Sequence, residues 1–261
     1  MKGKLKLTFL GTGTSQGVPV IACKCPVCTS NDSRNKRLRS SVLIETEEIN
    51  IVIDSGPDFR QQMLRENVSK LDAIIFTHEH KDHTAGTDDI RAFNYLQKKP
   101  MEVYAEKRVL NSLENEFSYV FAEKKYPGIP QMNLNEITNN SFQISGLEII
   151  PIRVYHYKLP VFGYRIGNLA YITDTNYISE EELLKLQNLD VLVINALRLE
   201  KHISHFNLEE ALQVINICKP QRSYLNHISH MMGLHAEVAE KLPENVFLAE
   251  DGLVLNLGFK K

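Results

Sequence analysis

Apolar positions recur along this chain with two different periods, and the switches between them mark out short elements. Residues 4–10 alternate apolar and polar, and residues 41–46 and 49–53 repeat the alternation on either side of Glu47 and Glu48, which predicts a hairpin. Pro57 stands where it can open a helix over residues 58–66, and the apolar run 71–76 predicts a buried strand. Helical spacing at 84–96, a strand at 101–105 and helical spacing at 108–119 follow, until Tyr126-Pro127-Gly128-Ile129-Pro130 breaks the pattern. The second half carries strands at 141–144, 147–154, 162–166 and 169–173, with turns at Ser145-Gly146 and Gly167-Asn168. A helix at 179–186 is capped by Ser179 with Glu182 three residues on. Strand 191–195, helix 208–218, strand 223–225, a short helix at 236–241 and two closing strands complete the pattern. Strands pairing within each half, with helices between and after them, predict an α/β fold of two sheets face to face with helices outside. The expectation is one domain over residues 1–261, a four-layer αββα sandwich.

The apolar run 71–76 leads into Thr77-His78-Glu79-His80-Lys81-Asp82-His83, which puts three imidazoles and a free carboxylate on one loop after a strand. Neutral imidazole and carboxylate are the ligand set expected for zinc, and manganese or iron would also be tolerated. Two histidines two residues apart in an extended loop can converge on one ion, while the Asp and His after them turn to a second. Each ion still needs partners from elsewhere, because three or four protein ligands are usual at a zinc site. Of the nine histidines, His156 follows the strand 147–154 and His227 comes just after 223–225, while Asp174 ends the strand 169–173. Each alone would more often be a hydrogen-bonded structural residue; their shared position at strand ends groups them as candidates.

Composition narrows the setting. An apolar fraction of 43% over 261 residues is ordinary for a soluble globular protein, and a net charge of -2 gives no global attraction to a nucleic-acid backbone. The basic residues Arg34, Lys36, Arg37 and Arg39 read as a solvated loop face. No apolar run approaches the ~20 residues of a membrane helix, and residues 1–10 do not resemble a signal peptide, so a cytoplasmic protein is expected. Three of the four cysteines crowd into Cys23-Lys24-Cys25-Pro26-Val27-Cys28, a spacing that speaks for metal rather than disulfides in a reducing compartment. Cys218 sits on the apolar side of its helix and reads as core. Gly11, Gly13 and Gly17 follow a strand but depart from the G-x-G-x-x-G spacing and precede no helix, so they serve tight turns beside a site rather than a dinucleotide.

The Thr77-His78-x-His80-x-Asp82-His83 signature resembles the metallo-β-lactamase superfamily of binuclear hydrolases, and His156, Asp174 and His227 follow in the order and strand-end context of that family. The resemblance implies that His78, His80 and His156 hold one metal, Asp82, His83 and His227 a second, and that Asp174 bridges them. Asp54 matches the acidic residue that buttresses the metal loop. The opening Leu10 to Pro19 and the three cysteines resemble more closely the phosphodiesterase family of the carbon–phosphorus lyase pathway. There, three such cysteines and a histidine, here His230, bind a structural zinc; three thiolates and one imidazole make a closed tetrahedral site. A histidine placed like His205 protonates the leaving group in those relatives, and an imidazole titrates near neutral pH without help. His202 is read as exposed with a chance of touching substrate, and His235 as a surface or helix-start residue.

The expected function is therefore hydrolysis of a small phosphodiester, cyclic esters included, by metal-bridged hydroxide, with two catalytic divalent ions, zinc or manganese, one structural zinc, and His205 and Asp174 as catalytic residues. A transfer-RNA 3′-end endonuclease of the same superfamily commonly carries a long arm between the residues matching His156 and Asp174, which here lie 18 residues apart. That spacing argues against long nucleic acid as a partner. A lactamase or thioesterase and a non-enzymatic metal-binding module are weaker rivals. No membrane partner is expected, and monomer and homodimer both stay open.

Overall fold

A computed structural model describes residues 2–124 and 126–260. Its strands, in chain order, are β1 (Lys2–Gly11), β2 (Ser41–Glu45), β3 (Asn50–Ile53), β4 (Ala73–Ile75), β5 (Met101–Ala105), β6 (Met132–Glu136), β7 (Phe142–Ile144), β8 (Leu147–His156), β9 (Leu159–Ile166), β10 (Leu169–Ile172), β11 (Tyr177–Ile178), β12 (Val191–Asn195), β13 (Arg222–Asn226), β14 (Val246–Leu248) and β15 (Val254–Lys260). The helices are α1 (Pro26–Thr29), α2 (Phe59–Arg65), α3 (Lys81–Thr84), α4 (Arg91–Gln97), α5 (Lys107–Glu116), α6 (Ser118–Phe121), α7 (Glu180–Leu184), α8 (Leu208–Cys218) and α9 (His235–Ala239). One sheet runs β15-β1-β2-β3-β4-β5-β6 and the other β11-β8-β9-β10-β12-β13-β14, with β7 on β8.

Alternation along the central strands feeds two cores at once. Val42 and Ile44 of β2, Ile51 and Ile53 of β3, and Val191 and Val193 of β12 meet Phe9, Phe162, Tyr164 and Tyr171 between the sheets. Their neighbours face outward: Leu43 and Val52 pack under α2 and α5 with Phe59 and Leu110, and Leu192 and Ile194 pack under α8 with Ala211 and Ile215. Both faces of the central strands are thus buried, which is the predicted αββα sandwich; in β2 and β3 the expected alternation of apolar and polar gives way to burial on both sides.

Further expectations need correction, among them the helix over 108–119, which is broken at Phe117 into α5 and α6. The closing strand β15 does not stay with the second half; it returns to pair antiparallel with β1, from Lys2↔Lys260 to Thr8↔Val254. Residues 84–96 form no single helix, because α3 ends at Thr84, a 3-10 turn spans Thr87–Ile90, and α4 starts anew. The break sits at Gly86, whose missing Cβ would lie 2.0 Å from the Gly56 carbonyl, so the chain here is pressed against the turn after β3. Strand β6 escaped the pattern because Asn133 and Asn135 are poor strand formers; both amides bond Glu102 on β5. The basic run is not a solvated face throughout. Arg34 is exposed beside Asp32, but Arg39 pairs with Asp58, and Arg37 is buried, donating to Thr12 Oγ1 at 2.8 Å and the Ala249 carbonyl at 2.5 Å.

Candidate metal centre

Strand ends of both sheets converge on one point. Asp54 follows β3, the His78 to His83 loop follows β4, His156 ends β8, Asp174 lies beyond β10 and His227 follows β13. Three of these residues, Asp54, Asp174 and His227, stand in the left-handed region at φ +65°, +50° and +55°. Non-glycine residues rarely go there, and such strain clusters at functional sites when the surroundings enforce it. The enforcement is visible. Asn195 grips the Thr175 N–H and carbonyl, each at 3.0 Å, just past Asp174. The glycine-rich turn brackets His227, with Ile228 N–H donating to Thr12 O at 2.9 Å and Thr14 N–H to Ile228 O at 3.1 Å. Gly11 and Gly13 allow this approach, since a Cβ on either would lie within 3 Å of the 37–39 backbone.

The hydrogen bonds assign each ring a side to give and a side to keep. Asp54, fully buried, accepts from the Thr77 N–H at 2.8 Å, the Thr77 hydroxyl at 2.8 Å and His83 Nδ1 at 2.7 Å. With its proton spent on Asp54, the Thr77 hydroxyl accepts from His78 Nδ1 at 3.0 Å. The Ser40 hydroxyl likewise donates to Gly13 O at 2.9 Å and accepts from His227 Nδ1 at 3.2 Å. His156 Nδ1 donates to Ser204 O at 2.8 Å. Four imidazoles therefore commit Nδ1–H to the protein and present Nε2 to the centre, the arrangement that orients metal-ligating histidines.

Those nitrogens meet carboxylates. His83 Nε2 lies 2.8 Å from Asp174 Oδ2 and 3.1 Å from Asp82 Oδ2, and His227 Nε2 lies 3.0 Å from Asp174 Oδ1. Asp82, His83, Asp174 and His227 form one donor group, and Asp174 joins His156 and His205 in a second. His78 and His80 touch each other, Nε2 to Nδ1 at 3.0 Å, with the His80 ring 5.2 Å from that of His156. Burial lowers the pKa of His78, His80 and His227, leaving neutral bases suited to a cation. His83 goes the other way. Burial opposes its charge, but Asp82, Asp174 and Asp54 together raise its pKa well above the ordinary value. Three carboxylates around one ring favour positive charge at this point. Among the described residues, His83 Nε2 and His205 Nδ1 are buried near Asp174 oxygens, at 2.8 and 3.5 Å, without a hydrogen bond of good geometry. Ring nitrogens and carboxylates gathered in this way fit divalent-metal binding.

The cysteine loop closes as the sequence suggests. Cys23, Cys25, Cys28 and His230 form a third donor group, with both Cys23 Sγ and Cys25 Sγ 3.4 Å from His230 Nδ1. The Cys28 N–H, and after it His230, lower the Cys25 thiol to about 6, while burial raises Cys28 to about 11. Cys218 is core, as expected. His235 starts α9 as expected but is not at the surface: it is buried, with Nδ1 3.1 Å from the Arg37 guanidinium. His202 is half-buried, its ring 5.2 Å from His205. Sequence reasoning missed Ser40, Thr14 and Thr173, which surround the His227 ring; hydroxyls at loop ends carry no signal of their own.

The profile of the Beta-lactamase superfamily domain matches residues 49–228. The chain belongs to that superfamily. It is 42% identical over 252 residues to an octanoyltransferase of Porphyromonas gingivalis, covering 95% of this chain and 51% of that one, so it spans about half the length of that relative. A crystal structure of a diphosphatase from the PhnP family matches with a TM-score of 0.93 at 36% identity, covering 99% of each chain. Zn(2+)-bound PqqB from Methylobacterium extorquens shares the fold, with a TM-score of 0.79 at 19% identity over 97% of this chain and 100% of that one. The fold, with its His/Asp cluster, implies divalent-metal binding.

Proposed function

We propose that this chain is a metal-dependent hydrolase of small phosphodiesters. The observation that supports the reading is Asp174, whose carboxylate lies with Asp82, His83 and His227 on one side and with His156 and His205 on the other, while His78 and His80 stand together beside His156. Asp82, His83 and His227 would hold one divalent ion, His78, His80 and His156 the other, and Asp174 both, zinc and manganese suiting these donors. Lewis acidity and a water nucleophile active at neutral pH are what such a pair supplies when bound. Cys23, Cys25, Cys28 and His230 would hold a structural zinc, with no position left for substrate. Four free thiols suit a reducing cytoplasm.

His205 is the proposed proton donor to the leaving oxygen. Its ring lies 4.5 Å from His156 and 4.9 Å from His227, with Nδ1 3.5 Å from Asp174 Oδ1. Burial lowers it to about 3, so the ring is neutral before substrate arrives. An anionic phosphodiester beside it favours the charged form, which couples its protonation to substrate binding. Between His156 and Asp174 the chain is occupied by the two-residue turn of the β8–β9 hairpin, by β9 and by β10, which supports a small substrate over transfer RNA. A second reading, acyl-thioester chemistry, is favoured by the name of the Porphyromonas gingivalis relative.

Elemental analysis should give about three metal ions per chain. Metal-loaded protein should hydrolyse bis(p-nitrophenyl) phosphate and ribose 1,2-cyclic phosphate; inactivity on both sinks the proposal, and faster turnover of an octanoyl thioester transfers it to the second reading. His205→Ala should cost kcat roughly 10²–10⁴-fold on the alkoxide-releasing cyclic ester. It should cost far less on the aryl ester, whose leaving group needs no proton.

A further inference from the structure

A pocket of about 600 Å³ opens beside His80 and His156 and is walled by Tyr157, Lys158, Leu159 and Ile203. That size lies within the range of small-molecule sites. Two of the walls are unusual for a solvent-facing surface: Tyr157 is 53% exposed and Ile203 69% exposed. They are also held in place. His156 pairs with Leu159, so Tyr157 and Lys158 are the whole turn between β8 and β9, and Tyr157 sits at φ +59°, where Asn or Gly is the usual occupant. The Tyr157 N–H donates to Asn176 Oδ1 at 2.7 Å, and Asn176 Nδ2 donates to the Ile203 carbonyl at 3.1 Å. One amide thus ties both walls to each other, two residues after Asp174. A turn needing only to reverse the chain would gain nothing from an aromatic in this conformation.

We propose that this pocket takes the nucleoside part of a nucleotide phosphodiester, its base lying on the Tyr157 ring opposite Ile203. The inference rests on the hydrolase reading of the adjoining centre. An alkyl chain gains mainly from enclosure, and these walls are half open to water; a flat base gains from a single aromatic face, which an open pocket can offer. The Lys158 ammonium lies over the Tyr157 ring, 5.5 Å from its centroid, so the base takes the face that Lys158 leaves free.

The test compares methyl p-nitrophenyl phosphate with thymidine 5′-(p-nitrophenyl phosphate), which share a leaving group and differ in the nucleoside. Wild-type protein should prefer the thymidine ester. Tyr157→Ala should lower the ratio of the two kcat/KM values about ten-fold, through KM, and Tyr157→Phe should restore it. AMP should compete with the thymidine ester and octanoate should not. An unaltered ratio in Tyr157→Ala, or octanoate inhibiting more strongly than AMP, overturns the proposal. If wild type hydrolyses neither ester, the hydrolase reading fails by itself. Calorimetry of AMP with the metal-loaded protein then still decides the pocket: weaker binding by Tyr157→Ala supports it, and equal binding refutes it.

Discussion

Asp54→Asn isolates what one buried carboxylate does for the metal centre. The replacement keeps the volume, leaves no cavity, and tolerates φ +65° as Ala would not. The Thr77 N–H can still donate to the amide oxygen, and the Thr77 hydroxyl can rotate to accept from the amide nitrogen. The bond that cannot survive is the 2.7 Å one from His83 Nδ1, which would meet an N–H₂ instead of an oxygen. The ring then moves its proton to Nε2, the nitrogen 2.8 Å from Asp174 and 3.1 Å from Asp82, where a metal would have to bind. A hydrogen bond to a charged group contributes about 1.5–3 kcal/mol. Taking about 2 kcal/mol, metal affinity should fall about thirty-fold, inside the ten- to hundred-fold usual for partners that orient metal ligands. Competition with a chromophoric chelator measures this, and circular dichroism checks that the variant is folded. A folded variant with wild-type affinity refutes the tautomer argument for His83 and with it the assignment of Asp54.

The same ring gives a pH prediction. Its native pKa is raised above the ordinary 6.5, so in metal-free protein its stabilisation is complete below that value and is lost as pH rises through the native one; urea midpoints should fall from neutral toward alkaline pH. Metal must displace that proton, so apparent affinity should increase with pH over the same window, with about one proton released to an indicator dye per ion bound at this group. In metal-free protein, Cys25 should be alkylated by iodoacetamide at neutral pH before Cys28 and Cys218, both raised to about 11, and zinc should abolish the labelling. Arg37→Ala should destabilise by about 3–5 kcal/mol, since it strips a buried guanidinium from Thr12, the Ala249 carbonyl and His235. A shift in thermal midpoint of less than a few degrees would show that the segment repacks without it.

What the sequence makes legible follows from what each feature depends on. The central strands were readable because both of their faces are buried, so Val42 to Ile44 or Val191 to Ile194 are apolar whichever core they serve. Strand β6 was not, since its Asn133 and Asn135 are satisfied by Glu102, a partner 31 and 33 residues away that no local window contains. Arg37 and His235 misled for the same reason. A charged residue in a basic run reads as solvated, and only a contact across 198 residues turns the pair into interior structure. The return of β15 to β1 is equally non-local, and a pattern of alternation carries no record of which edge a strand will join.

The metal centre divides along the same line. The His78 to His83 cluster is legible because few other chemistries need that residue set at that spacing, whereas His156, Asp174 and His227 are candidates only by their strand-end positions and the family resemblance. The hydroxyls that set each ring's tautomer, Ser40 and Thr77, were not, because their meaning lies in where their own protons go: to Gly13 O and to Asp54. Each hydroxyl relays a constraint, spending its donor on one group so that it can only accept from His227 or His78. Replacing Ser40 by Ala would leave every candidate metal-binding residue in place and still free the His227 ring to flip or change tautomer. The motif names the candidate donors, but which ring nitrogen each can offer a metal is selected by residues outside it, and by the strained Asp54, Asp174 and His227 backbones that hold those residues in register.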